Sequence, residues 1–428
     1  MSGKPSQPQI IATSAAPQAP AVGSNLTRAL YLYGGMAVRI LSTLALIPLL
    51  GRNLGPEGYG IYSVAHMIAM MVWQIVEFGT PLIASRLYAS ASGQNDRDTA
   101  LSIATFSRLT MIPLSLAAAT AAIFYSEPLR NEWAVIGLAV LLGIQCGMNF
   151  GWMLTAQGES RLQATFETVP AVLTLLMCAL WVRSTEDVVT AFIIMNVAAA
   201  GVNLFAWRHA RKHAKHIQLP EGVLADALRK GLYVFAYRAA LTAMGYGSAY
   251  LLTRHASADT VGHYALADRI LTAATGLLQP LTVVLFPGSM RMFAEDPYKA
   301  SRVYGKIVLK IFGIASACTV AGMLILPYLI PLLMGAAYES STELLMILLP
   351  ALPLMALSQL LVQCYLYPLH LDKQIALIYV LSGALLWIGA QWSIPAFGVH
   401  GMAWLRVSIE LLLASALALS AFVAMKRS

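Results

Sequence analysis

The feature that most restricts what this chain can fold into is its apolar runs, which approach 20 residues in length and recur from one end to the other. As a helix, each run is long enough to cross a hydrocarbon layer about 30 Å thick. A chain that is 58% hydrophobic and only 11% charged lacks the polar surface that a soluble domain needs. The runs are continuous rather than alternating, so they read as helices and not as the strands of a barrel. The expected fold class is an all-α polytopic membrane protein.

Twelve spans are expected, near 29–50, 60–85, 101–124, 133–155, 163–183, 188–207, 232–253, 261–289, 307–334, 343–368, 375–394 and 399–425. The connections are short except at 208–231 and 290–306, and none could house a catalytic domain. Lys and Arg set the orientation. With the N-terminus inside, 17 of them fall on the cytoplasmic side, against four opposite: Arg52, Arg130, Arg183 and Arg254. Both termini are therefore expected in the cytoplasm. The formal charge of +8 is read as this topology signal, and no nucleic acid is expected as a partner.

Residues 1–24, rich in Ala, Pro, Ser and Gln, read as a disordered cytoplasmic tail. Residues 25–207 and 232–428 then form two six-span units. The segment 208–231 joins them and reads as a basic amphipathic helix lying on the anionic inner leaflet. The four cysteines (Cys146, Cys178, Cys318, Cys364) fall inside apolar runs, far apart, and read as small hydrophobes. No metal-ligand spacing and no phosphate-binding glycine loop occurs, so no cofactor is expected.

Between the first two spans lies Leu54-Gly55-Pro56-Glu57-Gly58-Tyr59-Gly60-Ile61-Tyr62. Pro56 fixes φ and the glycines allow angles closed to other residues, so neither flanking helix should run through it. Part of the pattern returns at an offset of 202: Gly262, Tyr264, Ala267 and Ile270 repeat Gly60, Tyr62, Ala65 and Ile68. With the topology, this suggests two copies of one unit. The glycines are expected to let span 2 pack closely on span 1.

The same strings carry a family resemblance. Leu54 to Tyr62, Glu77-Phe78-Gly79, Gly151-Trp152, Gln157-Gly158-Glu159, Val261 to Ala267, Gly335-Ala336-Ala337-Tyr338 and Gly398 to Ala403 occur in order across the chain. Together they resemble the polysaccharide-biosynthesis (Wzx-type) flippase branch of the multidrug/oligosaccharidyl-lipid/polysaccharide exporters. The resemblance covers about residues 25–425. It implies two six-helix bundles related by a pseudo-two-fold axis along the membrane normal, with a central cavity between them. It also implies transfer of a lipid-diphosphate-linked saccharide between leaflets of a bacterial inner membrane. A polymerase and glycosyltransferases are the protein partners that follow.

A charge at span depth costs roughly 3 kcal/mol, so such residues face a cavity or a partner. Arg39, near the middle of span 1, is the sharpest candidate for a substrate cavity. Arg108, Arg238, Arg269 and Arg406 are further candidates, with snorkelling or structural pairing as the competing reading for each. Asp268 and Arg269 are neighbours and point to different faces of one helix. Arg406 and Glu410 are spaced to pair with each other. Glu77, Asp268 and Glu410 are the candidates for H⁺ or Na⁺ coupling, Glu77 because Pro81 would disrupt the helix beside it.

Three functions are weighed. The first is a flippase for lipid-linked oligosaccharide working by alternating access. The second is an organic-cation antiporter of the related multidrug branch, disfavoured because the excess intramembrane charge is basic. The third is a multispan polymerase or ligase, disfavoured by the absence of a long external loop.

Overall fold

A computed structural model describes residues 25–89, 91, 93–157, 159–213 and 223–427. The expected tail over 1–24 and the middle of the expected linker, 214–222, lie outside the described residues. The first half of the chain holds α1 (Asn25–Glu77), α2 (Thr80–Ala89), α3 (Gln94–Tyr125), α4 (Trp133–Gly147), α5 (Gly151–Gln157), α6 (Ser160–Trp181) and α7 (Val188–His213). The second half holds α8 (Val223–Gly245), α9 (Gly247–Leu252), α10 (Ala258–Gly276), α11 (Gln279–Glu295), α12 (Pro297–Met334), α13 (Glu339–Leu348) and α14 (Ala351–Leu361). A π-helical turn (Val362–Leu366) and α15 (Asp372–Arg427) complete it.

Among the described residues, seven helices are long and apolar enough to cross a membrane, or up to nine if two bent pairs each count as one. Reaching the expected twelve also requires α1 and α15 to be counted twice each, and α8 with α9 once. Both long helices are broken in a way that permits this. Gly55 (φ 68°, ψ 174°) interrupts α1 and Gly398 (φ 60°, ψ −143°) interrupts α15. Arg39 and Trp73 line one cavity, although a straight helix would hold them about 50 Å apart. Tyr379 and Arg406 likewise line a second cavity from either side of Gly398. Each long helix therefore doubles back at its glycine, and Pro56, with no N–H to leave unpaired, opens the returning segment of α1.

The helix break beside Glu77 falls one step earlier than Pro81. Phe78 (φ 44°) and Gly79 (φ 67°) both take left-handed angles, and Pro81 then sits harmlessly in the first turn of α2. The expected surface helix over 223–231 is not separate, since Val223–Lys230 form the first turns of α8 and run on without a break.

One buried core runs through both halves of the chain. Large apolar side chains also stand exposed, as Leu309, Ile314, Leu324 and Leu332 do along α12. Such a surface suits lipid rather than water.

The glycines of the repeated motif do not serve the contact expected of them. A Cβ on Gly60 would lie 1.9 Å from the Ala258 carbonyl oxygen, and one on Gly262 would lie 1.9 Å from the Pro56 carbonyl oxygen. Ala258 follows Pro56, and Gly262 follows Gly60, by the same 202 residues. The two contacts are thus mirror entries of one reciprocal crossing between α1 and α10. These glycines bring the two halves of the chain together, where the sequence suggested packing of span 2 on span 1. Backbone approach this close is open only to glycine, which explains why it recurs at both positions.

Candidate functional site

A cavity of about 790 Å³ lies between the two halves. Both arms of α1 supply one wall, α4, α6 and α7 supply others, and Tyr246 with α10 closes it from the second half. Its ionisable lining includes Arg39, His66, Glu167 and Arg269. Arg39 reaches in from the first arm of α1, and its Nη1 lies 3.2 Å from Glu167 Oε2 on α6. Both side chains keep about a third or more of their surface exposed (33% and 43%), so the pair faces the cavity rather than the core. The two readings held open for Arg39, cavity lining and ion pairing, describe one and the same placement.

Arg269 projects from α10 into the same space. Its guanidinium lies 4.3 Å from the centroid of the Tyr246 ring, and Nη2 donates to His66 Nδ1 over 3.1 Å. A guanidinium can only donate, so His66 accepts at Nδ1 and carries its proton on Nε2. Asp268, one residue earlier, points the other way and is buried. There Arg406 Nη1 lies 2.5 Å from Glu410 Oε1, and its Nε lies 3.9 Å from Asp268 Oδ1. Arg406 and Glu410 line the second cavity, of about 360 Å³, which shares Tyr246 and Thr272 with the first.

The remaining candidates stand behind the cavity. Arg108 is almost fully buried, donates from Nη1 to the Asn149 carbonyl over 2.8 Å, and lies 5.4 Å from the centroid of the Phe150 ring. It braces the wall at Asn149 and does not line the space. Arg238 Nη1 lies 2.9 Å from Glu77 Oε2, joining α8 to α1. Beside this pair Phe78 stacks on Phe235 with centroids 4.5 Å apart, and Gln74 Nε2 donates to Thr242 Oγ1 over 3.0 Å. The structure thus gathers Arg39 and Arg269 at one cavity, Arg406 and Glu410 at a second with Asp268 buried beside Arg406, and Glu77 with Arg238 at a junction between the halves.

Sequence reasoning passed over the amides. Gln145, Asn149 and Asn203 line the main cavity, as do Tyr62, Trp73 and Tyr246. The available signal was the presence of Gln145, Asn196 and Asn203 inside otherwise apolar runs, where an amide must find partners.

The continuous helical core, the doubled-back helices and the cavity between the halves define a multi-pass, all-α membrane protein. Solved structures share its fold. A lipid II flippase, MurJ, in an inward closed conformation, matches with a TM-score of 0.66 at 12% identity, over 92% of this chain and 87% of that one. An inward-facing multidrug resistance MATE family transporter of the MOP superfamily matches with a TM-score of 0.63 at 14% identity, over 94% and 95%. At the level of sequence, residues 28–293 match the family described as polysaccharide biosynthesis protein, and the chain belongs to that family. A relative from Escherichia coli (strain K12), named as a candidate O-antigen transporter, is 24% identical over 335 residues, 77% of this chain and 80% of the relative.

Proposed function

We propose that the protein is a flippase, not an enzyme, that moves a lipid-diphosphate-linked oligosaccharide from the inner to the outer leaflet of a bacterial cytoplasmic membrane. The cargo class is an O-antigen, exopolysaccharide or capsule repeat unit. The observation that carries this reading is the main cavity, where two guanidinium groups, Arg39 and Arg269, meet aromatic and amide side chains in a single space between the halves. Guanidinium groups suit diphosphate oxygens, which accept hydrogen bonds in pairs. Family membership and the name of the Escherichia coli relative agree with it.

The lining holds Arg39 and Arg269 against one carboxylate, Glu167. That balance repels organic cations and disfavours the multidrug alternative. In this reading both termini are cytoplasmic, the two halves act as six-helix bundles about a pseudo-two-fold axis, and access alternates between the two faces. Glu410 at the second cavity, Asp268 buried beside Arg406, and Glu77 at the junction are the groups proposed to couple the cycle to H⁺ or Na⁺. A polymerase and glycosyltransferases would act after and before it. The test is complementation of a bacterium lacking its own flippase. The wild-type chain should restore surface polysaccharide, and Arg39→Ala and Arg269→Ala should cut export about tenfold or more at equal protein level, equivalent to about 1.4 kcal/mol. Normal export by both variants would remove the cavity's role, and drug sensitivity without a polysaccharide defect would favour the antiporter.

A further inference from the structure

Under the flippase reading, the main cavity carries too little positive charge for its ligand. Among the described residues, its ionisable lining is Arg39, Arg269 and Glu167, with His66, Cys146 and the tyrosines Tyr59, Tyr62 and Tyr246. Two guanidinium groups against one carboxylate leave a single net positive charge, whereas a disubstituted diphosphate carries two negative ones. His66 stands where a further charge would be useful. It lies on the returning arm of α1, six residues after Gly60, and Arg269 lies on α10, seven after Gly262. Both therefore sit about two turns along their helices from the close crossing of α1 and α10, which fixes the distance between them. Arg269 Nη2 donates to His66 Nδ1 over 3.1 Å, and both side chains are half-buried in the cavity lining. Tyr62 and Tyr246 lie against the imidazole, with ring centroids 5.6 and 5.8 Å from its own. The Tyr246 ring also covers one face of the guanidinium, so a ligand meets Arg269 at its N–H edge, part of which His66 occupies.

We infer that His66 is a further binding group for the cargo's diphosphate, and that it takes up one proton as the diphosphate displaces it from Arg269. The inference rests on the flippase reading and deepens it. While Arg269 donates to Nδ1, that lone pair is engaged and the imidazole is neutral. A phosphate oxygen is the stronger acceptor for a guanidinium, because the bond is then charge-assisted from both sides. Once the oxygen takes the Nη2 donor, Nδ1 is released beside an anion. A proton from the solvent then turns Nδ1 into an N–H donor to the same oxygen. That oxygen is held from both halves of the chain, and the cavity's net charge now matches the ligand's. Only an N–H bond is made, and the proton returns to the solvent when the cargo leaves. Cargo affinity is consequently linked to pH and rises as the pH falls through the range in which imidazole titrates. Arginines stay charged and tyrosines neutral throughout that range, which leaves Glu167 and Cys146 as the other lining groups able to change.

The experiment uses the purified full chain in lipid nanodiscs and calorimetric titration. The probe is a short polyprenyl diphosphate bearing one N-acetylglucosamine, whose phosphates do not themselves titrate near neutral pH. Titration at neutral pH in two buffers of different ionisation enthalpy counts the protons taken up. The wild type should take up about half a proton or more per ligand, and should bind about three- to tenfold more tightly at pH 6 than at pH 8. His66→Gln keeps an acceptor for Arg269 yet cannot hold a proton, so it should abolish the uptake and flatten the pH dependence. Glu167→Gln and Cys146→Ser should keep both. A structural role for His66 would weaken binding equally at every pH and leave the uptake in place. Uptake that survives His66→Gln, or that disappears in Glu167→Gln or Cys146→Ser, overturns the inference. A wild type that binds the probe without taking up a proton also overturns it, with no variant needed, and leaves the flippase reading standing. A wild type that does not bind the probe overturns the flippase reading and this inference with it.

Discussion

Arg39 and Glu167 hold each other 3.2 Å apart from adjoining helices of the main cavity wall, and an incoming anion must compete with that carboxylate. Glu167→Gln is expected to tighten binding of a polyprenyl diphosphate about threefold or more, read by titration, since the competing charge is gone. A buried cation behaves differently. Arg406 is enclosed with Glu410 and Asp268, all three nearly without exposure. Removing one member of a buried ion pair leaves a charge uncompensated and costs about 3–5 kcal/mol. Arg406→Ala should therefore lower the melting temperature sharply, whereas Arg406→Met combined with Glu410→Leu and Asp268→Asn, which leaves no charge behind, should recover most of it. Of these groupings, only Arg406 with Glu410 was legible in the sequence, because four-residue spacing on one helix brings side chains together. Arg39 with Glu167, and Arg238 with Glu77, lie more than a hundred residues apart, and nothing in local pattern says which faces of which helices meet.

At the scale of elements, apolar length predicted where helices lie and glycine predicted where they break. Gly55 and Gly398 carry positive φ at the expected turns between spans 1 and 2 and between spans 11 and 12. What the pattern could not supply was the partner across each break. The motif at Gly60 marked a close contact, yet only the fold shows that α10 fills it. Gly60→Ala and Gly262→Ala should each destabilise by about 1–3 kcal/mol in a thermal melt, because the added carbon meets backbone that cannot yield. Gly137→Ala on α4, with nothing near its Cβ, should be neutral or slightly stabilising.

At the scale of the molecule, two of the contact zones that join the halves differ in kind. One is the crossing at Gly60 and Gly262, together with the Tyr338 hydroxyl donating to the Gly51 carbonyl over 2.7 Å. The other is the junction of Glu77 with Arg238 and Phe78 with Phe235. If, as proposed, access alternates and both termini are cytoplasmic, the second zone must part to admit cargo from the cytoplasmic side. Cysteines placed at 78 and 235, in a chain whose four native cysteines are replaced, should react with a short bifunctional maleimide. Export should then stop in treated cells, while either single cysteine should leave it intact. Unchanged export after complete cross-linking would mean that this junction stays closed throughout the cycle.

The crossing of α1 and α10 is reciprocal. Each strand of the contact offers the other the same pieces, a carbonyl from the proline position and a bare Cα from the glycine four residues on. A surface that is its own complement is what a two-fold homodimer presents. This chain thus holds within one polypeptide the kind of self-complementary contact that a two-fold dimer makes between two. The two glycines are consequently bound to each other's fate: a side chain gained at either is felt by both halves.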